Sequence, residues 1–170
     1  KGRGSDFTVY LTLPIAENQN VDKQVLEEER AVESFDYQGM HILMAEDNEV
    51  NAEIAVSILE MDGAKVDTVV DGQQAIEQFE VCPPGTYDFI LMDIQMPVMD
   101  GRTASRAIRA MNRPDAKTIP IFALSADAFV EDQRLSAESG MNGHFSKPID
   151  FEKMKKEIGK ILIKGKRVGA

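Results

Sequence analysis

Polar side chains follow several short apolar runs of this 170-residue sequence. Glu46-Asp47 follow one run, and Asp93 follows another. Brought together, these three carboxylates would repel one another unless one kept a proton or a divalent cation lay among them. Because all the candidate ligands are oxygen atoms, the cation predicted here is the hard ion Mg²⁺. A bound Mg²⁺ still has coordination positions open for a phosphoryl oxygen. The residue types therefore predict a magnesium site suited to phosphoryl chemistry.

Two further polar residues, each at the end of an apolar run, supply the other groups that phosphoryl transfer needs. Such transfer requires little of a protein beyond placement and charge neutralisation, and an Asp carboxylate can accept the phosphoryl group. Lys147 supplies a cation that can pair with a carboxylate and then with the phosphoryl group. Ser125 supplies a short hydroxyl donor. Asp93, on a central run between the other groups, is the best-placed nucleophile.

These residues lie close together only if the apolar runs are strands of one sheet. From Met40 onward, apolar runs alternate with amphipathic segments, which predicts strands at 41–45, 66–70, 88–92, 119–124 and 144–146. Near-continuous apolar strands indicate an α/β fold, a parallel sheet covered by helices on both faces. Ligands then bind outside the carboxyl ends of the strands. In the helix after Gly101, we expect three arginines to point outward: Arg102, Arg106 and Arg109.

Composition excludes several classes of protein. At 43% hydrophobic residues the chain can bury a core. No apolar run approaches the roughly 18 residues of a membrane span, and we expect no signal peptide in this sequence. A net charge of −10 argues against a nucleic-acid partner, so the basic segment 150–170 is interpreted as a solvated helix face. The single Cys82 excludes a disulfide framework and fits the cytoplasm, the expected location.

Four motifs together resemble a response-regulator receiver domain. They are Glu46-Asp47, the segment DIQMPVMDG from Asp93 to Gly101, Ser125-Ala126 and Lys147-Pro148. Each stands at the end of a predicted strand, in this order, and the resemblance covers about residues 40–163. It implies a flavodoxin-like (βα)5 three-layer sandwich whose five-stranded parallel sheet has the order 2-1-3-4-5.

The resemblance also implies a role for each residue. Asp93 is expected to accept the phosphoryl group, and Lys147 and Ser125 to contact it. The groups expected to hold Mg²⁺ are Glu46, Asp47, Asp93 and the backbone carbonyl of Gln95. Because the acidic pair is Glu-Asp where many members have Asp-Asp, Glu46 is expected to act through water and Asp47 directly.

A second departure from the family is His144, three residues before Lys147, where Tyr or Phe is usual. Two interpretations stay open. The imidazole is either the ring that swings when Ser125 moves, or a half-buried ring that fills space at a strand edge. If the ring swings, phosphorylation is expected to change the shape of the face formed by strand 4, helix 4 and strand 5, and with it the affinity for a partner.

The opening segment, Gly2 to Pro14, resembles the last glycine motif and final strand of a histidine-kinase ATP-binding domain. Alternating apolar residues from Phe7 to Leu13 fit a half-buried strand. The stretch is too short to bind ATP or to have kinase activity. The sequence opens at Lys1 rather than Met, so we expect a piece of a longer chain, a hybrid sensor histidine kinase that could be membrane-anchored.

Four segments follow from this interpretation. They are a kinase-domain remnant at 1–14, an acidic linker at 15–39, the receiver at 40–163 and a tail at 164–170. The expected phosphodonor is a phosphohistidine of the chain's own kinase core or of a histidine phosphotransfer protein. No membrane contact by this piece is expected, and the oligomeric state is left open.

Two other functions compete with phosphorelay. One is a receiver-like module that acts only by binding partners, which the complete set of chemically competent residues disfavours. The other is an Asp-nucleophile phosphatase on a similar sheet. Such enzymes usually carry a second acid two residues after the nucleophile, where this chain has Gln95.

Overall fold

The computed structural model of the protein describes residues 30–126 and 130–168. Its strands are β1 His41–Ala45, β2 Lys65–Val69, β3 Phe89–Asp93, β4 Ile121–Ser125 and β5 Gly143–Ser146. Its helices, numbered from the first after β1, are α1 Glu49–Met61, α2 Gly72–Val81, α3 Gly101–Ala110, α4 Val130–Glu138 and α5 Phe151–Val168. Among these described residues, no helix has the length and apolar character that crossing a bilayer requires.

The five strands form one parallel sheet in the order β2-β1-β3-β4-β5. Strands alternate with helices along the chain, so each connection crosses over and returns to the same end of the sheet. The predicted flavodoxin-like architecture is confirmed. All five carboxyl ends consequently lie at one edge, as a common polar site requires.

The central strands are buried on both faces, and each face has its own core. In β1, Ile42 and Met44 pack toward α1 and α5 with Leu59 and Ile158. Leu43 packs toward α2 and α3 on the other face. This period of two, with apolar residues on both sides, is what a strand needs inside a three-layer sandwich.

Side-chain caps begin the helices at the carboxyl edge. Asn48 accepts a hydrogen bond from the Asn51 N–H at 3.0 Å and begins α1. Asp71 and Asp100 begin α2 and α3 in the same way. A cap satisfies a backbone N–H that the first helical turn leaves unpaired. These short polar residues therefore fix where each helix leaves the edge that carries the site.

Two expectations from the sequence need correction. The fourth strand begins at Ile121 rather than at 119, because Pro120 has no N–H to donate to the sheet. The arginines of α3 do not all point outward: Arg102 pairs with Asp132 of α4 at 2.6 Å. Arg109 donates to the carbonyls of Gly140 and Ala116 and to Oδ1 of Asn142.

The core extends upstream of residue 40, the predicted start of the receiver. Tyr37 is buried with the side chains between α1 and α5, and Phe35 packs partly against the same cluster. At the other end, α5 continues to Val168, past the predicted start of the tail at 164. The predicted kinase-like strand of residues 7–13 lies outside the described residues.

Candidate functional site

The sheet brings the polar strand-end residues together at its carboxyl edge. Asp93 ends β3 and Ser125 ends β4, while Glu46 follows β1 directly. The backbone ladder extends past the strands. The Glu46 N–H donates to the Val69 carbonyl at 3.0 Å, and the Lys147 N–H donates to the Ser125 carbonyl at 2.7 Å. The residues that the sequence predicted for the site are therefore held by the sheet itself.

Lys147 joins the two buried carboxylates. Its Nζ donates to Oε1 and Oε2 of Glu46 at 2.8 and 2.6 Å and to Oδ2 of Asp93 at 2.6 Å. The lysine follows β5, and its peptide bond to Pro148 is cis. Charge-assisted hydrogen bonds of this length are the strong ones in proteins. One ammonium group therefore offsets the charges of both acids, which are themselves almost fully buried.

The cluster of Glu46, Asp47 and Asp93 offers carboxylate oxygens that all lie within 4.8 Å of one another. Asp47 is exposed, whereas Glu46 and Asp93 are buried. Three hard oxygen donors of this charge, one of them reachable from solvent, fit Mg²⁺ better than a softer ion. The donor set is thus compatible with the predicted magnesium site.

Electrostatics at the site reflect burial and mutual proximity. Burial raises the pKa of Asp93, although the hydrogen bond and charge of Lys147 and the Gln95 N–H act against the rise. Burial works against the charge of Lys147, yet Asp93 and Glu46 outweigh it and raise the pKa of the ammonium group. Lys147 therefore stays a cation, and the balance at Asp93 depends on that neighbour.

The loop between β3 and α3 shapes one side of the site. The Gln95 N–H donates to Oδ1 of Asp93 at 3.1 Å, so both carboxylate oxygens of Asp93 have a donor. Gly101 packs so closely on the Asp93 carbonyl that a Cβ there would collide with its oxygen. The predicted role of the Gln95 carbonyl as a metal ligand stays a prediction.

Ser125 and His144 lie on the same face of neighbouring strands. Ser125 is opposite Ser146 in the register, and His144 is opposite Ala123, two positions earlier. Ser125 is buried and the imidazole is half-buried, with Nδ1 3.2 Å from Oγ of Ser136 in α4. The ring thus touches α4, and the two interpretations of His144 both stay predictions.

Sequence reasoning missed one side chain of the site. Nδ2 of Asn51 donates to Oε1 of Glu46 at 2.9 Å and helps to hold the buried acid. Asn51 lies in the first turn of α1, three residues after the cap Asn48. An amide in the first turn of the helix that begins just after the predicted metal-binding pair is the signal that could have identified it.

Comparisons with known proteins agree with this geometry. The family model of the response regulator receiver domain matches residues 42–159. The peroxide stress-activated histidine kinase mak1 of Schizosaccharomyces pombe is 35% identical over 150 residues, covering 85% of this chain and 9% of mak1. The chain belongs to the response regulator receiver domain family.

Solved structures of other receiver domains share the fold. The receiver domain of the sensor histidine kinase PA1611 from Pseudomonas aeruginosa, with a magnesium ion coordinated in its active-site cleft, is 36% identical. Its TM-score is 0.62, and the match covers 78% of this chain and 99% of that one. The receiver domain of Ssk1, in complex with the histidine phosphotransfer protein Ypd1 of Saccharomyces cerevisiae, is 26% identical with a TM-score of 0.63. That match covers 74% of this chain and 89% of the other.

The chain spans only a small part of its curated relatives, from 5% to 18% of their length. Three of these relatives are hybrid signal transduction histidine kinases by name, and another is the aerobic respiration control sensor protein ArcB of Escherichia coli. The activities of such whole proteins concern this chain only as proposals.

Proposed function

We propose that this domain accepts a phosphoryl group on Asp93 from a phosphohistidine, in a Mg²⁺-dependent phosphorelay reaction. The observation that carries the proposal is the contact of Lys147 Nζ with both Asp93 and Glu46. A bond forms between an Asp93 oxygen and phosphorus as the bond from phosphorus to the imidazole nitrogen breaks. Asp93 is the acceptor because it is the acid held by both Lys147 and the loop amide of Gln95.

Each remaining residue of the site has a defined task in this reaction. Lys147 favours the ionised, nucleophilic form of Asp93 and is placed to pair with the incoming phosphoryl oxygens. The hydroxyl of Ser125 donates a hydrogen bond to the transferred phosphoryl group. The groups proposed to hold Mg²⁺ are Asp47, Asp93 and the Gln95 carbonyl, with Glu46 acting through water. The bound ion would neutralise charge on the phosphoryl oxygens, and the magnesium ion in the active-site cleft of the PA1611 receiver supports a magnesium ion at this site.

The surface beside the site fits a helical protein as the donor. Four exposed apolar residues spaced three or four apart line one face of α1: Val50, Ile54, Ile58 and Met61. Next to them, a cavity of about 480 Å³ is lined by residues that include Ile54, Lys147 and Phe151. An apolar stripe of this kind packs well against another helix. The Ssk1 receiver bound to Ypd1 supports a histidine phosphotransfer protein or a kinase helix as the partner.

We also propose the setting and the output of the reaction. The parent chain would be a hybrid sensor histidine kinase in which this receiver follows the ATP-binding domain. A cytoplasmic location fits the single Cys82. Phosphorylation would draw Ser125 inward, let the ring of His144 move, and so change the face formed by β4, α4 and β5. Such a switch requires unequal phosphate affinity of the two states.

Labelling with acetyl phosphate tests the acceptor. With Mg²⁺, the wild-type domain should gain one phosphoryl group by intact mass, and Asp93→Asn should gain none. Asp88→Asn, the same change just before the amino end of β3, is the matched control and should label normally. A binding-only module would leave the wild type unlabelled. A phosphatase would hydrolyse excess acetyl phosphate with many turnovers and little stable label.

A further inference from the structure

The two carboxylate oxygens of Glu46 are supplied unequally with hydrogen-bond donors. Oε1 accepts from Nδ2 of Asn51 at 2.9 Å and from Nζ of Lys147 at 2.8 Å, whereas Oε2 accepts from Lys147 at 2.6 Å. The side chain is 1% exposed, so solvent offers little compensation for a donor that is withdrawn. A buried charged oxygen without a donor is unfavourable. Oε1 can therefore lose one donor and keep another.

The ammonium group of Lys147 is committed to carboxylates. It has three N–H donors, and these match its three contacts, with Oε1 and Oε2 of Glu46 and Oδ2 of Asp93. The contact with Asp93 favours the ionised acceptor until the new bond to phosphorus forms. A donor for an oxygen of the incoming phosphoryl group must consequently come from the Glu46 side.

Of the two contacts with Glu46, the one with Oε1 costs less to release. Oε1 keeps the amide of Asn51 as its donor, while Oε2 would have no donor left among the described residues. We propose that Asn51 is a positioning residue for phosphoryl transfer: by holding Oε1 of Glu46, it frees one N–H of Lys147 for a phosphoryl oxygen. This inference rests on the proposed function.

The place of Asn51 in α1 fits this role. Its backbone N–H donates to Oδ1 of Asn48 at 3.0 Å, so the cap that begins α1 does not use the Asn51 side chain. The residue is exposed, so the fold gains little packing from it. The helix backbone thus holds the amide in place and directs it at Glu46. A substitution should therefore remove the contact with Glu46 and leave the start of α1 intact.

Initial rates of labelling by acetyl phosphate with Mg²⁺ test this role. Asn51→Ala should label about tenfold more slowly than wild type, the lower end of what a hydrogen bond to a charged group contributes. Asn51→Asp keeps the size of the side chain without the amide donor and should be slowed at least as much. Asn112→Ala is the matched control, since Asn112 is exposed in the loop that leads to the amino end of β4. It should label at the wild-type rate.

Magnesium binding separates the positioning role from damage to the metal site. The rise in melting temperature that Mg²⁺ causes should be the same in Asn51→Ala as in wild type, because Asp47 and Asp93 are unchanged. A smaller magnesium response in Asn51→Ala would place the effect of Asn51 on metal binding and overturn the positioning role.

A double-mutant cycle with Glu46→Gln tests whether Asn51 acts through the acid. With a neutral side chain at position 46, Lys147 is no longer held by a buried charge and can turn without help. Asn51→Ala should then change the labelling rate by less than twofold. An equal loss with and without Glu46→Gln, or wild-type rates in both Asn51 variants, would overturn the proposal. Failure of the proposed function would look different, because the wild type would then not label at all.

Discussion

Two neighbouring acids at the end of β1 have very different surroundings. The side chain of Glu46 is 1% exposed and is bound by Lys147 and by Asn51. Asp47 is exposed. A buried acid with three donor contacts has its lone pairs committed to the protein, whereas an exposed acid can exchange water for a cation at little cost. The surroundings thus favour Asp47 as the direct ligand and Glu46 as a support for Lys147.

Magnesium stabilisation of the variants tests this division. In wild type, millimolar Mg²⁺ should raise the melting temperature by mass action. Asp47→Asn should melt as the wild type does in EDTA and lose the magnesium response. Glu46→Gln should lower the free energy of unfolding by about 1–3 kcal/mol even without metal, because a buried charged hydrogen bond is lost. Thermal melts with and without Mg²⁺ measure both effects, and a full magnesium response in Asp47→Asn would contradict the assignment.

A second residue-scale prediction concerns acid stability. Nε of Arg113 donates to Oδ1 of Asp115 at 2.6 Å, and Oδ2 accepts from the Gly85 N–H at 2.7 Å. The hydrogen bond from Arg113 lowers the pKa of Asp115. A carboxylate with a lowered folded-state pKa adds stability above its unfolded value of about 4, and that stability is lost as the pH falls through the folded value.

Asp115→Asn should therefore cost about 1–3 kcal/mol at pH 7, and the cost should shrink below about pH 4. Urea unfolding of wild type and variant at pH 7 and pH 3 measures the difference. The exposed Asp36, changed in the same way, is the control and should show no such trend. An equal cost at both pH values would show that the charge of Asp115 is not what stabilises this loop.

For single residues, the sequence predicted which strand-end side chains come together, but few of the hydrogen-bond partners of residues elsewhere. The strand-end positions of Asp93, Ser125 and Lys147 follow from apolar runs that end in a polar residue. The amide of Asn51 ends no such run, and only its place in the first turn after the acidic pair could have indicated its contact with Glu46. Arg109 was expected in solvent because helix periodicity describes one helix alone. Its three acceptors come from other segments that the fold brings beside α3.

Among the elements, α4 is attached to the domain in an unusual way. Of its nine residues, Ser136 alone is fully buried. Polar contacts hold it instead: Asp132 pairs with Arg102 of α3, and Oγ of Ser136 lies 3.2 Å from Nδ1 of His144. In contrast, α2 buries Phe79 and α5 buries Met154 and Ile158. A helix without a large apolar anchor opens locally at low free energy, which suits the proposed output face.

Hydrogen exchange should reveal this difference between helices. We expect backbone amides of α4 to exchange faster than those of α2 and α5 in the same molecule. Arg102→Gln should accelerate exchange in α4 further while leaving α2 unchanged, because the variant loses the ion pair to Asp132 and little else. Exchange measured by mass spectrometry on the unphosphorylated domain gives both comparisons. Protection of α4 equal to that of α2 would count against a weakly attached helix.

Element boundaries were predictable where a local cause sets them. Asn48 and Asp71 begin helices as their side chains predict, since capping needs only neighbouring backbone N–H groups. The start of β4 was predicted too early because Pro120 continues the apolar run. Its nitrogen carries no hydrogen to donate to a neighbouring strand, so the strand begins after it. The polar attachment of α4 was not predictable, since it depends on α3 and β5 lying on either side.

For the whole molecule, the packed core begins before the first strand. The ring of Tyr37 contacts the ring of Phe35 with centroids 5.4 Å apart and that of Phe89 at 6.0 Å. Phe35 lies over Gly159 of α5, where an added Cβ would come within 2.9 Å of the ring. The segment has an acidic, linker-like composition without periodicity, so the sequence did not predict this packing. A receiver cut at residue 40 would lack both rings.

Tyr37 allows the ring and the hydroxyl to be tested separately. Within the described residues its hydroxyl is buried without a hydrogen-bond partner. Burial, with the nearby carboxylates of Asp62 and Glu152, raises the pKa of that phenol. An unpaired buried hydroxyl gives no net stability, and the aromatic ring gives a large amount. We therefore expect the aromatic ring of Tyr37, and not its hydroxyl, to hold the segment before β1 against α1 and α5.

Truncation and substitution should agree on this point. A chain that starts at residue 34 should be more stable than one that starts at 40. Tyr37→Ala should cost about 3–5 kcal/mol, as for other buried aromatic residues, and Tyr37→Phe should be neutral or stabilising. Urea unfolding measures each, with acetyl phosphate labelling of Asp93 as the check that the site still forms. If the chain starting at 40 were as stable as the longer one, the two rings would only cover a core that is complete without them.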